Sequence, residues 1–382
     1  MRVVIWLALV GSVSAQTWPV KQGDVRLRDF RFAAGPALPE LNVHYRTLGE
    51  PKRGADGQVA NAVLLLHGTS GTGAQFLSPL FANELFGPGQ PLDIRKFYVV
   101  MPDGIGHGQS SKPSDGMHAR FPRYGYRDMV EAQRRMLVEG LGVNRLRLLL
   151  GTSMGCMHGY VWAETHPDFL EAAMPLACLP TAISGRNLAW RTTIIEAIRN
   201  DPAWKGGDYE TEPPSLRTAM SIIGFVGGNP LTWQKAGPDR EKALAYFRRT
   251  TEGRSKTADA NDILYAVDAS HDYDPSAGLA KIRTPMMHIN FADDTINPPE
   301  LRIAEELLKQ APTVRFELYP YTPDTVGHGS HTKAILWKDR LVRLLDETGA
   351  PVRTQISSAP LRPARATRRS RGPAPRSAWW RR

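Results

Sequence analysis

The stretch "LRLLLGTSMGCMHGYVWAETHPD" (Leu146 to Asp168) sets Ser153 between Gly151 and Gly155, where an apolar run gives way to a helical pattern that ends at Pro167. A serine at such a junction predicts a tight, strained turn that lifts its hydroxyl clear of the backbone. The glycines serve because side chains two positions before and after would collide. A serine hydroxyl alone is a poor nucleophile. It needs a histidine to take its proton and an acid to orient that histidine. The chain offers both downstream, each in a loop after an apolar run: Asp293 and Asp294 follow Pro285–Phe291, and His328 and His331 follow "VRFELYP" (Val314–Pro320). The chemistry expected is acyl transfer through an acyl-serine. The Met154 N–H, at the head of the helix, and the Thr69 N–H, in the glycine-rich loop His67–Gly73, are the expected oxyanion donors. Taken singly, Asp293 and Asp294 also read as a capping pair, and His328 and His331 as loop residues. Their order and context together favour the site.

Such a site needs strands to carry it. Asn61–Gly68, Phe97–Gly104, Leu146–Gly151 and Pro285–Phe291 are short apolar runs that end in turn residues, and Glu171–Ala177 is a fifth. They predict a parallel sheet buried on both faces. Phe30–Glu50 reads as an antiparallel pair at the sheet edge. Helical patterns lie between. Tyr126–Val143 places Met129, Val130, Gln133, Met136, Leu137 and Leu141 near one face, with Gly140 and Gly142 at its end. Pro298–Ala311 follows the fourth run, and Thr332–Gly349 is the last helix. This alternation predicts an α/β fold, a mostly parallel sheet flanked by helices. From about Pro180 to Ile282 it is interrupted by a mostly helical stretch rich in Gly, Pro and Trp. That is too long for a loop and predicts a cap over the carboxyl edge of the sheet, where open α/β folds bind ligands.

The 382 residues, 42% of them hydrophobic, suffice for a packed core. Arg2, the apolar run Val3–Val10 and the small residues Val13-Ser14-Ala15 read as a cleaved secretory signal. Cys156 and Cys178 could pair, but two buried thiols is the plainer reading. Nine arginines and no acidic residue lie between Pro351 and Arg382, so this tail holds nearly all of the +10 net charge. Its Pro, Ala, Ser and Arg composition predicts disorder, and its charge suits contact with anionic surfaces. No nucleic-acid-binding module is recognisable. His67 and His107 flank glycines and read as structural. The other histidines show no metal-ligand spacing, and no cofactor or metal is expected. A small-molecule ester is the expected partner. Oligomeric state is not legible.

The elbow "GTSMGCMHGYVWAETHPDF" resembles that of the homoserine O-acetyltransferase branch of the α/β-hydrolase superfamily. "DPAWKGGDY" (Asp201–Tyr209) and "DANDILYAVDASHDYD" (Asp259–Asp274) are similar to cap segments of that family, and "NVHYRTLGE", "YRDMVEAQ" and "GHGSH" fall in family-like places. The resemblance spans roughly Phe30 to Leu345 and implies the α/β-hydrolase fold with Ser153 as nucleophile. It implies Asp294 as the acid, because Asp294-Thr-Ile-Asn-Pro298 matches the family's acid-x-aliphatic-x-Pro spacing and Asp293 does not. It implies His328 as the base, because it follows Gly327. The expected division is a signal over 1–15, the core over 16–179 and 283–347, the cap over 180–282, and the disordered tail over 348–382.

The chain also departs from the acetyltransferases. "HGTSGTGAQF" lacks their acidic residue after His-x-x-x-Gly. "PDGIGHGQSSKPSD" is closer to the Asp-x-x-Gly-x-Gly-x-Ser turn of esterases. "SIIGFVGGNPLTW" (Ser221–Trp233) stands where they carry an arginine-bearing cap segment. With acetyl-CoA a cytoplasmic cosubstrate, an exported member is expected to pass its acyl group to water. The expectation is an exported serine hydrolase acting on a carboxylic ester. An O-acyltransferase of the homoserine type and a non-catalytic binding protein on the same fold are the alternatives.

Overall fold

A computed structural model describes residues 17–349. The signal-like segment at 1–15 and nearly all of the arginine-rich tail lie outside them. The first strand, β1 (Lys21–Phe30), alternates charged residues with Val25 and Leu27 and pairs antiparallel with β2 (Leu38–Leu48). The expected edge hairpin is thus present, but its first strand precedes Phe30 rather than following it. Seven of its ten residues are polar or glycine, as suits a solvent-facing edge, and its alternation is faint for that reason.

The inner strands are the apolar runs. They are β3 (Ala62–Leu66), β4 (Tyr98–Pro102), β5 (Leu148–Thr152), β6 (Ala173–Leu176) and β7 (Met286–Phe291), each buried along its whole length. The outer strand β8 (Val314–Tyr319) completes an eight-stranded sheet in the order β1-β2-β4-β3-β5-β6-β7-β8. From β4 to β8 all pairings are parallel. Helices cover both faces. One core joins the sheet to α2 (Tyr126–Arg135) and α3 (Met154–Thr165) through Met129, Val130, Tyr160 and Trp162. The other joins it to α1 (Pro79–Leu85) and the C-terminal helix through Phe81, Leu85, Leu341 and Leu344. Each such side chain contributes about 1.5–3 kcal/mol by leaving water.

Between β6 and β7 lie five helices and, among the described residues, no strand: α4 (Gly185–Arg199), α5 (Ser215–Gly227), α6 (Pro230–Ala236), α7 (Arg240–Ser255) and α8 (Ala260–Asp268). They have a core of their own, built on Ile194, Ile198, Leu216, Ala219 and Leu264. The family-like cap segments hold it together. Asp201 accepts from the Ala203 and Ser215 N–H groups, and the Trp204 indole donates to Asn261.

Three expectations need correction. Pro298–Ala311 is not one helix: a 3₁₀ turn over Pro299–Leu301 is closed by Arg302 at φ 53°, and only then does α9 (Ile303–Leu307) begin. The last helix, α10, spans Lys338–Gly349, with a separate 3₁₀ turn at Ala334–Leu336 before it. Helix-forming composition carries no sign of a single left-handed residue or a short 3₁₀ turn. Finally, Cys156 and Cys178 are not free thiols. They form a disulfide, their Cα atoms 5.9 Å apart, that ties α3 to the loop after β6.

Candidate active site

The sheet's direction of progression reverses between β3 and β5, so the loops leaving these neighbours part and open a crevice at their carboxyl ends. Ser153 stands there, between β5 and α3, at φ 53° and ψ −107°. Conformations this sparsely populated cost on the order of 1–3 kcal/mol and persist only where the surroundings hold them. Here the Ser153 N–H donates to the Leu176 carbonyl (2.8 Å) and the Gly155 N–H to the His67 carbonyl (3.0 Å). A Cβ on Gly151 would strike the Gly155 carbonyl, and one on Gly155 would strike the Leu66 carbonyl. These are the collisions expected from the spacing.

The structure brings Ser153, His328 and Asp294 into one hydrogen-bonded line. His328 Nε2 lies 2.9 Å from Ser153 Oγ, and His328 Nδ1 lies 2.8 Å from Asp294 Oδ2. The carboxylate only accepts, so Nδ1 carries the proton and Nε2 is free to accept from the serine. Asp294 sits three residues past β7 and is 1% exposed. Burial by itself would raise its pKa. The His328 charge and hydrogen bonds from His328, the Asn297 amide and the Ile296 N–H outweigh burial and hold it below the usual carboxylate range.

Asp293 has a different place. Its Oδ2 accepts from the Gly327 N–H (2.8 Å) and from the Asn229 amide (2.6 Å). It therefore pins the residue before His328 to the segment that opens α6. Sequence reading offered a capping role for Asp293 and missed this one, along with Asn229. A bond spanning 64 residues leaves no local signal. His331 packs edge-to-face on His328, ring centroids 5.2 Å apart, and touches neither Ser153 nor Asp294 through a hydrogen bond. Burial, followed by the neighbouring His328 charge, pushes its pKa down to about 3, so it is neutral at ordinary pH.

The loop after β3 is fixed from behind. Asp103, fully buried, accepts from Arg46 Nη1 (2.7 Å), from the Gly73 N–H (2.8 Å) and from the Gln109 N–H (3.0 Å). His67 Nδ1 donates to the Gly68 carbonyl and its Nε2 accepts from the Gly104 N–H. Burial, reinforced by the His107 charge, pushes its pKa down to about 3. His107 Nε2 donates to the Thr69 carbonyl (2.5 Å). Both histidines thus shape the loop, and His107 fixes the Thr69 peptide. The Thr69 and Met154 N–H groups donate to no protein acceptor among the described residues. Met154 is the first residue of α3, where an N–H has no partner within its own helix.

Ser153, Thr69 and His328 open onto a cavity of about 460 Å³ whose far wall is made by α4, α5, α6 and α7. Gly224, Gly227, Gly228 and Trp233 of that wall belong to the glycine-rich segment Ser221–Trp233. Among the described residues, Cys156, Cys178 and His288 are the one group placed within metal-ligating reach of each other. Two of the three are in the disulfide, and all are buried.

A family model described as "alpha/beta hydrolase fold" matches residues 61–312, and the chain belongs to that family. Its likeness runs to the homoserine O-acetyltransferase branch. It is 29% identical over 366 residues, 83% of this chain and 95% of the relative, to a homoserine O-acetyltransferase of Geobacter sulfurreducens. It is 28% identical over 295 residues, 76% of this chain and 89% of the relative, to a "Probable acyltransferase" of Methanothermobacter thermautotrophicus. The fold matches that of an acetylester hydrolase from Corynebacterium glutamicum with a TM-score of 0.74, covering 85% of this chain and 96% of the other at 21% identity. The protein is an enzyme of the hydrolase and acyltransferase kind.

Proposed function

We propose that the protein is an exported serine hydrolase that cleaves a carboxylic ester through an acyl-enzyme on Ser153. The observation that carries this is the line from Asp294 through His328 to Ser153, set beside two unengaged N–H donors at the mouth of a cavity. Ser153 Oγ attacks the ester carbonyl carbon while His328 Nε2 takes its proton. The oxyanion is held by the Thr69 and Met154 N–H groups, donors that are worth roughly 3–4 kcal/mol each in sites of this kind. The C–O bond to the alcohol breaks as His328 returns the proton to it. Water then adds to the acyl carbon, His328 takes the water's proton, and the acid leaves with Ser153 Oγ reprotonated. Asp294 holds the imidazole in its tautomer and offsets the charge it gains.

Two features support water over an acceptor alcohol. The cap segment Ser221–Trp233 contributes glycines, apolar groups and Thr232 to the cavity but no arginine of its own, the cavity's Arg191 and Arg254 coming from α4 and α7. The disulfide suits an oxidising compartment, away from cytoplasmic acetyl-CoA, in keeping with the signal-like N-terminus. The kinship with acetyltransferases keeps transfer as the second reading. A panel of p-nitrophenyl esters of rising acyl length tests the proposal, with and without homoserine. Release of acid with no acceptor, unaffected by millimolar homoserine, is the expected result. Efficient conversion of acetyl-CoA and homoserine with negligible ester hydrolysis would establish the transferase instead. Protein recovered from the cell envelope should lack about fifteen N-terminal residues.

A further inference from the structure

Arg191, on α4, lines the same cavity as Ser153 and is 3% exposed, yet among the described residues no carboxylate pairs with it. Buried charges are ordinarily paired. Here the guanidinium is held by neutral groups. Its Nε donates to Asn187 Oδ1 (3.1 Å), and its Nη1 to the Val267 carbonyl (3.2 Å) and Ser270 Oγ (3.4 Å). The Tyr126 hydroxyl, also neutral, lies within hydrogen-bonding reach of the guanidinium. Nearby carboxylates are engaged elsewhere: Asp272 caps the N-terminus of α2, and Asp268 pairs with Arg123.

The cavity wall beside the guanidinium adds two further donors. Thr69 Oγ1 and Trp190 Nε1 line the cavity and are buried without a hydrogen-bond partner. Tyr126 is fully buried behind that wall, its hydroxyl set between the Arg191 guanidinium and the Thr69 side chain, where it positions both. The Trp190 ring sits 4.7 Å from the guanidinium. A buried cation without a carboxylate partner, flanked at a cavity wall by two unsatisfied donors, is a receptor for an anion. Arg254 also lines the cavity, and among the described residues no Asp or Glu does.

We infer that the ester cleaved at Ser153 carries a free carboxylate, which Arg191 receives with help from the Thr69 hydroxyl, while the Tyr126 hydroxyl behind them holds the guanidinium in place. The inference deepens the proposed function and rests on it. The absence of an acid from the cavity lining sets this carboxylate apart from that of an amino acid, whose ammonium group would find no counter-charge there. The substrate is an anionic ester, with the carboxylate on the acyl or the alcohol side.

Two isosteric pairs test this: 3-acetoxypropanoate against 3-acetoxypropanamide, and monomethyl succinate against methyl succinamate. In at least one pair kcat/KM for the anion should exceed that for the amide by about tenfold or more, as a charge-assisted contact at a buried site allows. The ratio should fall towards one in Arg191→Met, survive in part in Arg191→Lys, and drop in Tyr126→Phe, which removes only a hydroxyl and keeps the inference testable if Arg191→Met does not fold. Equal rates in both pairs, or a preference that outlasts the Arg191 and Tyr126 variants, would overturn it. If no ester is cleaved, the hydrolase reading fails, and labelling of Ser153 by the uncharged reagent diisopropyl fluorophosphate then tests Arg191 alone. Protection by succinate but not by succinamide upholds the anion site, and equal labelling refutes it.

Discussion

The carboxyl ends of the sheet and the helical layer above them are built by different rules. At the sheet, position is set by backbone. Ser153 is held at an unfavourable φ by the glycines beside it, Thr69 by His107 and Asp103, and Asp294 by hydrogen bonds from its own loop. Above it, α4–α8 pack on a small separate core and present glycines, tryptophans and two arginines to the cavity. A strained turn on a fully buried strand can hold a reacting atom to a fraction of an ångström. A layer attached through loops can change its lining without moving that atom. On the proposed reading, the sheet end fixes the chemistry, and the cap fixes the substrate.

The strongest way to break this division is at the sheet end. Ser153→Ala should fold normally and lose ester cleavage down to what binding and the oxyanion donors alone give, about 10³–10⁴-fold over water. His328→Ala should match it, while His331→Ala should cost far less, since His331 reaches neither partner. Steady-state rates on a p-nitrophenyl ester, with melting curves as the check on folding, decide the matter. An essential His331 and a dispensable His328 would move the base. Asp294→Asn should lower kcat by up to about 10⁴-fold, through loss of the correct tautomer.

Asp293 is where the two regions meet, since its carboxylate joins the His328 loop to Asn229 at the start of α6. Since one oxygen of Asp293 serves both Gly327 and Asn229, Asp293→Asn can keep both bonds through its amide oxygen and loses only the charge. A loss of about tenfold in kcat is expected, as for one charge-assisted contact, well short of the Asp294 effect. A loss equal to that of Asp294→Asn would mean that the cap helps to place the base. The Cys156–Cys178 link, 22 residues apart, lies wholly on the sheet side. Replacing both cysteines with serine should cost about 3 kcal/mol of stability, by the loop-closure argument, with less effect on rate. Denaturant melts measure the first and ester turnover the second.

What was legible in the sequence follows the same line. The inner strands are apolar along their whole length, so their runs were plain, and the Gly151-x-Ser153-x-Gly155 spacing is steric and local. Where burial is one-sided or contact is long-range, the signal thins. The polar edge strand Lys21–Phe30 was placed too late, the left-handed Arg302 was invisible among helix formers, and the pairing of two buried cysteines could not be told from two free thiols. The same holds at the site. Ser153, Asp294 and His328 could be chosen from spacing and resemblance, whereas Asp293, Asn229 and Arg191 act across 34 residues or more. Their partners become visible only once the chain is folded.

The smallest effect on chemistry is expected deepest in the cap. Trp233, on α6, lines the cavity, meets the Tyr246 ring edge-on at 4.9 Å and packs against Gly228. It is half-buried and makes no hydrogen bond to Ser153, His328 or Asp294. Trp233→Ala removes apolar wall and leaves the Ser153 turn as it was. Short acyl groups then lose contact while longer ones gain room, so the chain-length optimum on p-nitrophenyl esters should move upward. The acetyl ester should show KM raised by up to about tenfold, the scale of a few methylene contacts, with a smaller change in kcat. A kcat that collapses on every chain length, as for an Asp294 variant, would show that the cap helps to hold the reacting atoms, and the division between the two regions would fail.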